Sequence, residues 1–184
     1  LAAVMARLGR GGREELENAR EEAVSRDERR LEALAMRHLG ELEDGEERVD
    51  MLYRAARKYR EAGAHLEASK SYQRAALACF DVGRDDEVLK ILSRAQDQAE
   101  RAASQDARRQ VAWAMALAHA EAGDFEVGIS LIHEVDSPST GAFSRDRSAR
   151  RVRALIFAAL ARDDEAIEEA ELLLDAARHR REDD

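Results

Sequence analysis

Five histidines and a single cysteine are the residues through which this 184-residue chain would hold a metal or attack a substrate. A metal site built on helices needs carboxylate and imidazole three or four residues apart, repeated on two helices so that ligands converge. The sequence offers Asp175 with His179, and Glu61 with His65 across the glycine break at Gly63, and both read as surface ion pairs. His119 and His133 lie near apolar faces and read as hydrogen-bonded, partly buried imidazoles. Cys79 sits in the run Ala76-Leu77-Ala78-Cys79-Phe80 with no base near it in sequence, and reads as a small core residue. The turn Asp85-Asp86-Glu87 has carboxylates for acid–base work, but similar turns recur along the chain, which marks helix N-termini where negative charge is favoured. Glycine-rich phosphate loops, the serine nucleophile elbow and zinc spacings are absent. The expectation is a protein that is not an enzyme, with no catalytic residue, no metal and no cofactor.

Two features have the chemistry of a binding surface instead. Trp113 is the only tryptophan, a residue type enriched at binding hot spots, although the same side chain would equally fill a core between helices. Arg145, Arg147, Arg150, Arg151 and Arg153 follow the loop 136–144, which holds the only proline. Arginine forks bind carboxylate and phosphate with two parallel hydrogen bonds. The competing reading is a solvated helix face balanced by Asp146 and Asp163.

Composition limits what such a surface would take. The net charge is -9, with 45% hydrophobic, 38% charged and 4% aromatic residues. That charge repels nucleic acid and anionic lipid, so a protein or peptide partner, acidic if it meets the arginines, is expected in preference to nucleic acid or a membrane. One cysteine fits a reducing, cytoplasmic compartment, and no apolar run approaches the roughly 20 residues needed to span a bilayer. Only Lys58, Lys70 and Lys90 among the basic residues are lysine, a bias that points to a GC-rich bacterial source. The chain begins at Leu1, which suggests a piece of a larger regulatory protein.

The elements that position these residues are helices. About a fifth of the chain is alanine, and apolar residues recur at three and four positions with no sustained alternation. Over 65–82, Leu66, Ala68, Tyr72, Ala75, Ala76 and Cys79 form one stripe; over 164–180, Ala166, Ile167, Ala170, Leu173, Leu174 and Ala177 form another. Breaks fall at Gly11 and Gly12, between Gly40 and Gly45, at Gly63, at Gly83, around Ser104, at Gly123, over 136–144 and over 162–164. Several place glycine after a helix and Asp or Ser before the next, as C-caps and N-caps require. Turns this short force neighbouring helices antiparallel.

Three of the turns are alike. Arg84-Asp85-Asp86-Glu87-Val88, Gly123-Asp124-Phe125-Glu126-Val127 and Arg162-Asp163-Asp164-Glu165-Ala166 space Glu87, Glu126 and Glu165 by 39 residues, and Val49 precedes Val88 by the same interval. A two-helix unit cannot bury its stripe alone and must stack on its neighbour. The expected fold is all-α: a right-handed solenoid of antiparallel helix hairpins with a repeat of about 39 residues.

Leu52, Ala55, Ala56 and Tyr59, the Ala62-Gly63 turn, then Ala68, Tyr72 and Ala75 resemble the tetratricopeptide repeat pattern, as does the turn Ala122-Gly123-Asp124-Phe125-Glu126. The resemblance covers residues 46–180 loosely, and the 39-residue interval is closer to the longer-helix variants of that family. It implies a superhelix that receives a protein or peptide in a groove lined by the first helix of each pair, here 65–82, 106–122 and 145–161. Gln73, Leu77, Trp113, Leu117, Arg147, Arg150, Arg151 and Leu155 are the expected contact residues on that surface. Residues 1–45 are set apart as a helical cap or linker, with only Leu16, Ala19, Ala23 and Val24 as a thin stripe and a capping box expected from Ser25 to Glu28. The alternative to a scaffold or sensor module is a structural segment that forms homo-oligomers through its terminal helices.

Overall fold

The computed structural model describes residues 12–135, 154, 157, 158, 164–168, 170 and 171. Every regular element among the described residues is a helix: α1 (Arg13–Ser25), α2 (Arg29–Leu42), α3 (Gly45–Glu61), α4 (His65–Asp81), α5 (Asp85–Arg101), α6 (Gln105–Glu121) and α7 (Phe125–Val135). No helix among the described residues is long and apolar enough to cross a membrane.

The turns set the spacing. Gly63 (φ 68°), Gly83 (φ 71°), Ala103 (φ 49°) and Gly123 (φ 86°) follow one another at 20-residue intervals and all adopt the left-handed conformation. At Gly63 the Ala64 N–H donates to the Tyr59 carbonyl and the Gly63 N–H to the Arg60 carbonyl; Gly83, Ala103 and Gly123 repeat both bonds one helix later each time. This is the Schellman arrangement, which satisfies carbonyls that a helix end leaves free. Asp27 (φ 53°) closes α1 in the same way. Helices α3, α4, α5 and α6 each have 17 residues, so the same turn meets helices of the same length four times.

Consecutive helices from α1 to α5 pack on one another. The buried stripe of α3 is Val49, Leu52, Ala55, Ala56 and Tyr59; that of α4 is Ala68, Tyr72, Ala75, Ala76, Ala78 and Cys79; that of α5 is Val88, Ile91, Leu92, Ala95 and Ala99. Alanine at the crossings lets backbones approach, and the large side chains fill the space between crossings. Helices two apart in sequence also touch. Arg30 pairs with Glu67 and Arg74 with Glu41, joining α2 to α4. Arg84, at the head of α5, reaches Glu46 at 2.9 Å and Asp50 at 3.6 Å on α3.

The chain divides into two compact units, Leu1–Val111 and Ala112–Asp184. Helices α1 and α2, the segment set apart in the sequence, lie in the first unit with α3, α4 and α5. In the second unit Trp113 and Ala116 of α6 bury against Ile132 of α7, with Leu117, Ala120, Ile129 and Leu131 around them.

Several local expectations are corrected. The break expected between Gly40 and Gly45 falls at residues 43 and 44; Gly40 itself lies inside α2, where an added Cβ would come within 3.1 Å of Leu52 Cγ and 3.2 Å of Met51 Cβ, so it is a close crossing of α2 over α3. Ser25 does not form a capping box, because its hydroxyl donates to the Glu22 carbonyl at 2.8 Å and α2 starts after Glu28. The hydroxyl that does cap a helix is that of Ser104, which accepts from the Ala107 N–H at 3.2 Å. Leu66 and Val24 are exposed by 36% and 57%, off their stripes. The turn spacing of 20 residues gives 40 for two helices from α5 to α7, one more than the Glu87–Glu126 interval. Accordingly Gly128, not Val127, takes the buried position of Val88, and Val127 is 45% exposed.

Ala103 is the one alanine among these four turn positions, and a side chain in that conformation is strained by its own Cβ. Ala103→Gly should stabilise the fold by about 1 kcal/mol, raising the thermal midpoint by about 2–4 °C. Gly83→Ala, where an added Cβ meets nothing within 4 Å, should lower it by a similar amount through backbone strain alone, and calorimetry of both variants measures this.

Candidate binding surface

Among the described residues, α3 gathers positive charge in its second half. Its apolar stripe turns inward, and the opposite side between residues 51 and 60 carries Arg54, Arg57, Lys58 and Arg60 with no carboxylate in that stretch. Lys58 is neutralised by Glu32 of α2 at 2.8 Å, and Arg57 has a loose partner in Glu61 at 3.9 Å. Arg54 and Arg60 have no carboxylate within 4.0 Å among the described residues. Their charge is therefore open to a ligand.

The two flanks of α3 differ. Toward α2 lies a cavity of about 260 Å³ lined by Glu32, Met36, Arg54, Arg57, Lys58 and Glu61. Met36, 3% exposed, is its apolar lining and the charged side chains are its polar one. Toward α5, the Tyr53 ring meets Tyr72 of α4 edge to face, with centroids 5.5 Å apart and planes at 69°. The Arg94 guanidinium of α5 lies over the Tyr53 ring at 5.3 Å from its centroid. Burial pushes the Tyr72 phenol above its ordinary pKa, and the Arg60 and Arg57 charges pull it partly back against Glu61. Arg57 and Arg60 follow Tyr53 by four and seven residues, on the same side of α3.

A second charged cluster, on α2 and α4, is closed on itself. Arg37 Nη2 lies 3.1 Å from His38 Nε2, and His38 Nδ1 lies 3.0 Å from Glu41. A guanidinium only donates, so in this contact the His38 ring accepts at Nε2 and donates to Glu41 from Nδ1–H. The hydrogen bond from His38 holds the Glu41 carboxyl below its ordinary pKa against desolvation, with Arg74 adding to it. All four groups are paired, which leaves little for a ligand.

The expected contact residues fall in different places. Leu77 on α4 is 44% exposed, whereas Gln73 is half-buried and its amide donates to Ser69 Oγ at 3.4 Å. Trp113 is 6% exposed inside the α6–α7 core, and Leu117 is half-buried against the same core. Gln73 and Leu77 belong to the first unit, Trp113 and Leu117 to the second. Arg147, Arg150, Arg151 and Leu155 lie outside the described residues. Tyr53, Arg54, Arg57, Arg60 and Arg94 were not singled out from the sequence. The signal available was four cations without a carboxylate over 51–60 in a chain of net charge -9.

His65 Nδ1 lies 2.9 Å from Gln98 Oε1, whereas His119 Nδ1 is buried without a hydrogen bond among the described residues and lies 3.5 Å from Asp124. No group of three or more metal-ligating side chains converges among the described residues. No protein-family model matches the chain, and no curated protein matches it.

Two buried groups give measurable consequences. Cys79 is 0% exposed and burial pushes its thiol up to about 11, so the thiolate fraction at neutral pH is negligible. At pH 8 the native protein should leave Ellman's reagent unreacted, and one thiol should appear on unfolding in guanidinium chloride. Tyr59 is 1% exposed and burial pushes its phenol up to about 12. An unfolded tyrosine loses its proton near pH 10, so between about 10 and 12 the unfolded state binds fewer protons than the native one and stability falls as pH rises, by on the order of 2 kcal/mol. Tyr59→Phe should remove that part of the alkaline loss in urea titrations at pH 9 and pH 11.

Proposed function

We propose that the protein is a non-enzymatic helical-repeat module that binds a protein or peptide, as the scaffold or sensor segment of a larger regulator. The architecture we infer is a tetratricopeptide-like solenoid of antiparallel hairpins with a two-helix unit of about 40 residues. The observation that carries this reading is the pairing of helices two apart, α2 with α4 and α3 with α5, through turns repeated every 20 residues. Translation of one hairpin onto the next produces such neighbours, whereas a closed bundle has no need of a uniform turn. The positions that carry the family resemblance, Leu52, Ala55, Ala56, Tyr59, Ala68, Tyr72 and Ala75, are each 1% exposed or less.

An array of this kind spends its apolar residues between hairpins and leaves its outer side chains to recognise a partner. The binding side we assign is the α3 face, where a cavity and unpaired cations coincide. Self-association through terminal helices is the alternative, and the 57% exposed Val24 on α1 is what favours it.

Both readings are testable with the chain itself. A solid-phase array of 12-residue peptides of acidic, basic, apolar and mixed composition should retain the labelled protein on a subset, with calorimetric Kd values of about 1–100 μM. Arg54→Glu should raise Kd about tenfold, while Lys70→Ala on α4 should leave it unchanged. Retention on no peptide, together with a concentration-dependent mass in light scattering, would replace the module reading with the oligomer.

A further inference from the structure

We propose that the outer face of α3, from Arg57 at the rim of the cavity to Tyr53 beside α5, is an oxyanion clamp, in which Arg57, Arg60 and Arg94 grip acidic side chains of an extended peptide beside Tyr53. The inference rests on the peptide-binding reading above and names the chemistry of the partner. It starts from the state of the three guanidinia. Arg60 has no carboxylate within 4.0 Å among the described residues, Arg57 has one at 3.9 Å, and Arg94 is held over Tyr53 at 5.3 Å. All three are exposed, and Tyr53 beneath Arg94 is half-buried.

Stacking changes what Arg94 can do. A guanidinium lying on an aromatic face keeps its in-plane N–H groups free while losing rotamer freedom, so less entropy is lost when a carboxylate or phosphate is bound at its edge. Tyr53 is itself held by Tyr72, which is 0% exposed, so the platform is fixed by the core rather than by solvent-facing contacts. Arg57 and Arg60 are three residues apart on one helix, which puts their Cβ atoms about 5–6 Å apart. Alternate side chains of an extended peptide project on one side about 7 Å apart. Side chains as long as arginine bridge that difference, so the fitting ligand has acidic residues at alternate positions.

The rest of the chain argues for a short acidic segment rather than a polyanion. With net charge -9, long-range repulsion grows with the charge of the ligand, and a nucleic acid brings one phosphate about every 1.7 Å of duplex. A peptide with two or three carboxylates meets the arginines and little of the repulsion. Carboxylate and phosphorylated side chains share the fork geometry that a guanidinium recognises.

The test is fluorescence anisotropy of the full chain in 0.15 M salt against four labelled probes: a peptide alternating Glu and Ser, its Gln-for-Glu counterpart, a peptide alternating phosphoserine and Gly, and a single-stranded RNA 12-mer. The Glu or phosphoserine peptide should bind at least about tenfold more tightly than the Gln peptide, and which of the two binds better identifies the source of the oxyanion. Arg60→Ala and Arg94→Ala should each weaken that binding about fivefold, with Arg94→Lys, which keeps charge but loses the stacked fork, nearly as weak. Lys70→Ala removes one exposed charge from α4 and should change nothing; circular dichroism confirms that each variant is folded. Equal binding of the Gln peptide, tighter binding of the RNA, or equal loss in Lys70→Ala would overturn the clamp. Peptide binding that survives Arg60→Ala and Arg94→Ala sinks the clamp but leaves the module reading, whereas absence of binding on the whole peptide array sinks both.

Discussion

The packing of this protein depends on a backbone conformation that only a few residues tolerate. Each of four helix ends turns through a residue with positive φ, at Gly63, Gly83, Ala103 and Gly123, and each closes with the same pair of main-chain bonds. Because the turn consumes free carbonyls of the helix it ends, the next helix can start after only three intervening residues. Helices of 17 residues, roughly 25 Å long, then pack on one another in sequence from α3 to α5. Equal length is what makes the alanines of one helix meet the stripe of the next over its whole course. A turn of different size would shift the facing residues, and the small side chains would no longer fall at the crossings.

Small crossings leave space elsewhere, and this accounts for the most buried large residues. Tyr59, Tyr72, Leu52 and Leu92 are the largest fully buried side chains, and each comes from a helix whose buried stripe also contains two or more alanines. The two tyrosine hydroxyls and that of Ser71 are buried without a hydrogen-bond partner among the described residues, a cost of roughly 1–3 kcal/mol for each such group. Ring volume outweighs that cost where alanine would leave a cavity. Ion pairs such as Arg30 with Glu67 and Arg74 with Glu41 contribute little stability at the surface. What they add is orientation, since each joins helices two apart and fixes which ends lie side by side.

The helical class and most helix ends were legible because they are local. Apolar spacing of three and four, together with glycine at 63, 83 and 123, is written in a window of one helix. Other features depend on what lies across the fold. Gly40 has the look of a breaker, yet it is small because Leu52 and Met51 of α3 come within 3.2 Å of where a side chain would begin. Ala103 has no glycine to announce a left-handed turn, and its place is visible only from the 20-residue rhythm of its neighbours. The 39-residue interval was read from acidic residues at the turns, which tolerate a shift by one because they face solvent. Buried positions do not tolerate it, and they place Gly128 where Val127 was expected. The α3 surface was missed for a related reason: counting arginines favoured the denser run after the proline loop. Whether a cation is free is a tertiary property, and Lys58 is quenched by Glu32, 26 residues away.

An acidic chain can hold a basic face only if its carboxylates are occupied elsewhere, and the contacts around α3 achieve this. Glu41 and Glu67 are drawn into pairs between α2 and α4, away from the Tyr53 flank. Glu46 and Asp50, at the start of α3, are turned to Arg84, which Glu87 also grips through both of its oxygens at 2.9 and 2.7 Å. The recurring turn glutamate, taken alone, is helix-end chemistry; at Glu87 it also holds the arginine that collects the acidic end of α3. That leaves the second half of the helix with cations in excess, at local fields that the overall charge of -9 screens but does not cancel. Fold and surface charge are therefore coupled: the hairpin register that brings Arg84 to Glu46 and Arg94 to Tyr53 is the same register that leaves Arg60 without a carboxylate among the described residues.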